Sequence, residues 1–117
     1  TRLVLAAPMG FGPVATVGHI IATTVWAFYK AARLTPRYPK MALDPGAYES
    51  GTFEKIRQPT LLLWGSRDLY FPKSHGRRAL ATLPDAQLKI YNGAGHSLPI
   101  AYPVHFASDI HAFLADR

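Results

Sequence analysis

Cysteine is absent from the 117 residues, which excludes disulfides, thiolate metal ligands and a cysteine nucleophile within this sequence. Acidic residues are scarce, seven against thirteen Lys and Arg, for a net charge of +6. That excess fits an acidic partner surface, nucleic acid, or an acidic remainder of a longer chain. The basic residues are scattered, with Arg77-Arg78 the only adjacent pair. No basic stripe with interleaved aromatics occurs, so nucleic acid is not expected as a partner. A bilayer-spanning run is missing too. The longest apolar stretch, Val14 to Tyr29, contains His19 and three threonines, and falls short of the roughly 20 apolar residues that cross a membrane. It predicts a buried or cleft-covering helix and no membrane span. The compartment stays open, with the cytoplasm as the default expectation.

What is present suffices for one modest core: 49% of the residues are hydrophobic. Thr1-Arg2-Leu3-Val4-Leu5 begins inside what reads as a buried strand, so the sequence is expected to be a piece of a longer chain. Residues 3 to 7 form a short unbroken apolar run closed by Pro8, the pattern of a central parallel strand buried on both faces. From Val14 to about Leu34, Val14, Val17, Ile21, Val25, Phe28 and Ala32 recur at helical spacing, with Pro36 as the stop. Residues 35 to 58 carry Pro36, Pro39, Pro45, Gly46 and Gly51 and read as a connecting excursion.

Thr60-Leu61-Leu62-Leu63-Trp64 is the strongest strand signal, ended by Gly65-Ser66-Arg67-Asp68. Ser74 is the expected cap of a helix with Ala79, Leu80 and Leu83 on its apolar side, ended by Pro84. Leu88-Lys89-Ile90-Tyr91 follows as a third strand, completing a βαβ unit. Pro103 opens a final helix with Phe106, Ile110, Phe113 and Leu114 on one side and Ser108, Asp109 and His111 on the other. The fold class is therefore α/β, with about three parallel strands and crossover helices.

Asp68 follows the second strand and His96 follows the third. Successive parallel strands joined by a crossover put those loops on one rim of the sheet, where open α/β sheets place ligands. A carboxylate there can accept the imidazole N–H, fix its tautomer and stabilise the imidazolium formed when His96 takes a proton. Gly93 and Gly95 let the His loop bend tightly. Each residue alone reads as an ordinary loop residue, and joint placement is what favours chemistry. His19 reads as packed or cleft-facing, and His75, His105 and His111 as surface residues. No two histidines share a helical face at ligand spacing, so neither a metal nor a cofactor is expected. A nucleophile on a G-x-S-x-G elbow is absent. Ser66 and Ser97 are assigned to loop hydrogen bonding.

The segments PTLLLWGSRDLYFP (59 to 72), LPDAQLKIYNGAGH (83 to 96) and AYPVHFASDIHAFL (101 to 114) resemble the C-terminal third of α/β-hydrolase-fold proteins. The resemblance implies that Asp68 is the triad acid and His96 the triad base. It divides the chain into a core strand (1–8), a cap excursion (9–58) and a C-terminal core (59–117). It also implies a small-molecule substrate with an apolar part, for which Phe71 and Leu98 are candidate pocket linings. Where the family often carries a Glu shortly before the Pro, this chain has Ala101.

The expected function is that of a hydrolase part acting on an ester, lactone, amide, epoxide or carbon–halogen bond. The nucleophile (Ser, Asp or Cys) and the rest of the fold are supplied from elsewhere, and the chain alone is inactive. A rival is a non-catalytic ligand- or protein-binding member of the same fold. A third reading takes the +6 charge as the mark of an anionic-surface module.

Overall fold

A computed structural model describes residues 1–8, 11–34 and 53–116. Strand β1 (Leu3–Ala6) is followed by helix α1 (Thr16–Ala31), a 3-10 turn (Phe53–Lys55), β2 (Thr60–Gly65), α2 (Lys73–Thr82), β3 (Ala86–Tyr91), the short α3 (Leu98–Ala101) and α4 (Pro103–Ala115). The three strands form one sheet in the order β1-β2-β3. Both pairings are parallel, with Leu3 opposite Thr60 and Thr60 opposite Ala86.

The core follows from β2. All its residues are buried, because an apolar run with no polar alternation suits a strand covered on both faces. Successive side chains point to opposite sides. Leu62 and Trp64 join Ala7, Phe11, Phe71, Ala79 and Leu83 on the α2 side. Leu61 and Leu63 join Ala94, Leu98 and Phe113 on the α3 and α4 side. Each fully buried leucine contributes roughly 1.5–3 kcal/mol, which makes β2 the organising element of the sheet. Its one polar side-chain N–H deep in the core is satisfied: Trp64 Nε1 donates to the Phe71 carbonyl at 2.8 Å. Helix α4 is tied to the sheet by Asp109, which accepts from Lys89 Nζ at 2.6 Å and from the Tyr91 hydroxyl at 2.5 Å.

Several expectations need correction. Among the described residues β1 pairs with β2 alone, and its side chains are half-buried or exposed rather than covered on both faces. A continuous apolar run signals a strand without saying how many neighbours it has. The second helix starts at Lys73, one residue before Ser74, and Pro72 holds the N-cap position without a side-chain cap. Proline suits the start of a helix because its missing N–H would be unpaired there anyway. Leu80 and Leu114 face outward. α3 has no forerunner in the sequence reading.

Helix α1 stops before Pro36 is reached. Arg33 takes φ +56° and Leu34 N–H donates to the Tyr29 carbonyl at 2.8 Å, a left-handed turn that closes the helix by itself. Nor is α1 buried. Among its residues only Gly18 is, and Val17, Ile20, Ile21, Val25 and Phe28 stay exposed. Gly18 lies where a Cβ would run into the Leu69 carbonyl oxygen and Tyr70. Ala15 N–H donates to the Tyr70 carbonyl at 2.7 Å. Among the described residues, these contacts hold the first turn of the helix against the loop after β2.

Candidate acid–base site

The loop leaving β2 turns on Asp68. Its Oδ1 accepts the backbone N–H groups of Tyr70 at 2.8 Å and Phe71 at 2.9 Å. A short carboxylate two or three residues before those amides is the side chain best placed to organise such a turn. It delivers the chain to Pro72 and α2.

The loop leaving β3 bends at Gly93, whose φ of +79° is disfavoured for any residue with a Cβ. Gly95 is different: it is not among the positive-φ residues. What the Gly95 segment needs is a bare neighbour. A Cβ on Gly65, the last residue of β2, would collide with the carbonyl oxygens of Ala94 and Gly95, so the two loops meet backbone to backbone. The hydrogen bonds that join them include Ser66 N–H to the Tyr91 carbonyl (3.0 Å), Arg67 N–H to the Ala94 carbonyl (2.9 Å), and Gly93 N–H to Ser66 Oγ (2.8 Å). Ser66 thus has the loop-bonding part expected of it. Ser97 stands at the N-cap of α3 without a side-chain cap bond, and its carbonyl accepts from Ile100 and Ala101.

This arrangement sets Asp68 Oδ2 and His96 Nδ1 2.8 Å apart. The Asp68 side chain is wholly shielded, while the His96 side chain keeps 40% exposure. Burial pushes the Asp68 carboxyl toward the neutral form. The hydrogen bonds from His96, Phe71 and Tyr70 outweigh that and hold its pKa below the ordinary carboxylate value. An ionised Asp68 can only accept, so Nδ1 carries the proton and Nε2 presents a lone pair. The rings of Tyr70 and Phe71 flank the imidazole at centroid distances of 5.3 and 5.5 Å. The pair can accept a proton at Nε2 and stabilise the resulting cation.

Of the two candidate pocket linings, Phe71 is buried beside His96, whereas Leu98 is packed inside the core with Leu61, Leu63 and Phe113. His19, His105 and His111 are exposed, so His19 is not packed. His75 is the reverse case: expected at the surface, it is only 6% exposed. It lies in the first turn of α2 with its ring 6.3 Å from that of Phe71. Its Nδ1 has no hydrogen-bond partner among the described residues, and burial first, then Arg78, push its pKa down against the pull of Asp68. Tyr70 was not singled out by the sequence, and Gly65 was noted there only as part of the turn that ends the strand. Among the described residues no group of three or more His, Cys, Asp or Glu gathers where a metal ion would fit.

No protein-family model matches the sequence. It is 38% identical over 58 residues to a 2-hydroxy-6-oxononadienedioate/2-hydroxy-6-oxononatrienedioate hydrolase of Cupriavidus pinatubonensis, covering 50% of this chain and 19% of that protein. It is 32% identical over 69 residues to the uncharacterized hydrolase YugF of Bacillus subtilis, covering 59% and 25%. The crystal structure of the carboxylesterase CesB of Bacillus subtilis superposes with a TM-score of 0.68 over 99% of this chain and 52% of that one, at 19% identity. At that identity the likeness speaks for the fold. The chain spans a quarter or less of the length of these two curated relatives.

Proposed function

We propose, for a chain with a partial α/β-hydrolase fold whose homologues are hydrolases of that type, that Asp68 and His96 are the acid and general base of a hydrolytic triad. The observation that carries this is the 2.8 Å contact between a shielded, ionised carboxylate and a half-exposed imidazole. His96 Nε2 takes the proton of an attacking hydroxyl, Asp68 holds the ring in the required tautomer, and His96 then returns the proton to the leaving group. The sequence contains no G-x-S-x-G turn, so the nucleophile comes from residues outside these 117. The pair serves an ester, lactone or related bond of a small molecule, and the Tyr70 and Phe71 rings beside His96 suit an apolar part of it.

Two experiments test the reading. The chain alone hydrolyses a short-chain ester no faster than its His96→Ala variant, and a clear difference between the two means the site is already complete. In a chimera, the chain replaces the matching half of the CesB carboxylesterase fold, so that the remainder of that enzyme supplies the nucleophile. Ester hydrolysis then appears, and drops by roughly four orders of magnitude with Asp68→Asn. A folded chimera whose activity ignores Asp68 and His96 overturns the assignment.

A further inference from the structure

Tyr70 stands where helix α1 meets the acid and the base. Its N–H donates to Asp68 Oδ1 at 2.8 Å, and its carbonyl accepts from the Ala15 N–H at 2.7 Å. Its ring centroid lies 5.3 Å from that of His96, at an interplanar angle of 55°. Ala15 is the N-cap residue of α1. In the turn that follows, Gly18 comes so near that a Cβ there would stand 2.5 Å from the Leu69 carbonyl oxygen, 2.8 Å from Tyr70 Cα and 2.9 Å from Tyr70 Cδ1. The start of α1 is thus packed against both the backbone and the ring of this one residue.

The two rings beside the imidazole are anchored differently. Phe71 belongs to the sheet: it is buried in one cluster with Leu62 and Trp64, and its carbonyl accepts from Trp64 Nε1 at 2.8 Å. Tyr70 is half-buried, and its backbone is held by Asp68 on one side and by α1 on the other. A displacement of α1 relative to the sheet therefore moves the Tyr70 ring and spares that of Phe71.

We infer that Tyr70 is a positioning residue for the acid–base pair, and that its ring, held by the first turn of α1, fixes the orientation of the His96 imidazole. The hydrogen bond to Asp68 restrains Nδ1 alone. The outer torsion of a histidine side chain is broad and roughly two-fold, so the swing of Nε2 is limited by the rings packed against it. A reacting group misplaced by about 1 Å can lose about a hundredfold in rate. As a statement about catalysis the inference rests on the hydrolytic reading. As a statement about His96 it can be read without any activity.

The test follows the ring-nitrogen magnetic resonance shifts of His96 in the full chain, in alkaline buffer, where they separate the Nδ1–H from the Nε2–H tautomer. Tyr70→Phe keeps the parent's shifts. Tyr70→Ala moves them toward the Nε2–H form while the circular dichroism stays that of the parent. Two changes on α1 do the same: Gly18→Ala, and Ala15→Pro, which removes the N–H at a φ of −58° that proline adopts. If Gly18→Ala fails to fold, Ala15→Pro carries this arm. Combined with Tyr70→Ala, the α1 changes lose most of their effect, because they act through the missing ring. Shifts untouched by Tyr70→Ala, or effects at the two places that simply add, overturn the inference. In the CesB chimera Tyr70→Ala lowers kcat by roughly a hundredfold with little change in KM. A raised KM at unchanged kcat makes Tyr70 a binding surface only and also overturns it. A chimera inactive throughout, with the chain's shifts still following Tyr70, overturns the hydrolytic reading and supports the coupling.

Discussion

Gly65 and Gly95 touch through backbone alone: a methyl group added to Gly65 would occupy the space of the Gly95 carbonyl oxygen. That contact brings the end of β2 against the His96 loop, and with it the Asp68 carboxylate against the His96 imidazole.

Three glycines near the site therefore respond differently to alanine. Gly65→Ala forces two backbones apart and costs about 1–3 kcal/mol or more, because no rotamer change relieves it. Gly93→Ala meets open space but holds a Cβ at φ +79°, costing roughly 1–2 kcal/mol. Gly95→Ala meets open space without a positive φ and is neutral or slightly stabilising. Urea unfolding of the three variants checks the order, and Gly65→Ala also loses the downfield Nδ1 proton resonance of His96. An equal cost at Gly65 and Gly95 contradicts the backbone contact.

Acid should dissolve the pair from the Asp68 side. The folded carboxyl has a pKa below its ordinary value of 3.8, so the folded state releases this proton more readily than the unfolded one. The stability it contributes is present above the unfolded pKa and is lost as pH falls through the folded value. Urea midpoints of the parent and Asp68→Asn should converge at the acid end. A gap that stays constant to the lowest pH shows that ionisation of Asp68 is not what stabilises the loop.

His75 acts in a higher window. Its folded pKa lies below the ordinary 6.5, so the unfolded chain binds the extra proton first, and stability declines as pH drops below about 6.5. His75→Phe removes that decline and fills the space beside Phe71 with a ring of similar size. Thermal unfolding of both proteins between neutral and mildly acidic pH decides the matter. Parallel curves exclude His75 as the source.

How far the amino-acid order alone reached depends on whether a feature is local. The Leu61–Trp64 run announced β2 because a strand covered on both faces needs no polar alternation, and Asp68 and His96 drew notice by standing after consecutive strands. Which strands pair with β1 was not legible, since pairing partners lie far along the chain. His75 was misread because Lys73, Ser74 and Arg77 around it have the look of a solvated turn, while its burial comes from Phe71 and the loop carrying Gly12. The exposure of α1 was equally out of reach. Helical spacing reports that one side is apolar, and only the fold reveals that Val17, Ile20, Ile21, Val25 and Phe28 remain open to solvent.

The hydrogen bonds between the loops after β2 and β3, two of them backbone to backbone, have a kinetic meaning. On the proposed reading, these bonds already hold carboxylate and imidazole side by side, so neither has to search for the other when a reactive hydroxyl is delivered. Assembly of the proposed centre would then be a docking step, with a rate that follows the concentration of whatever brings that hydroxyl.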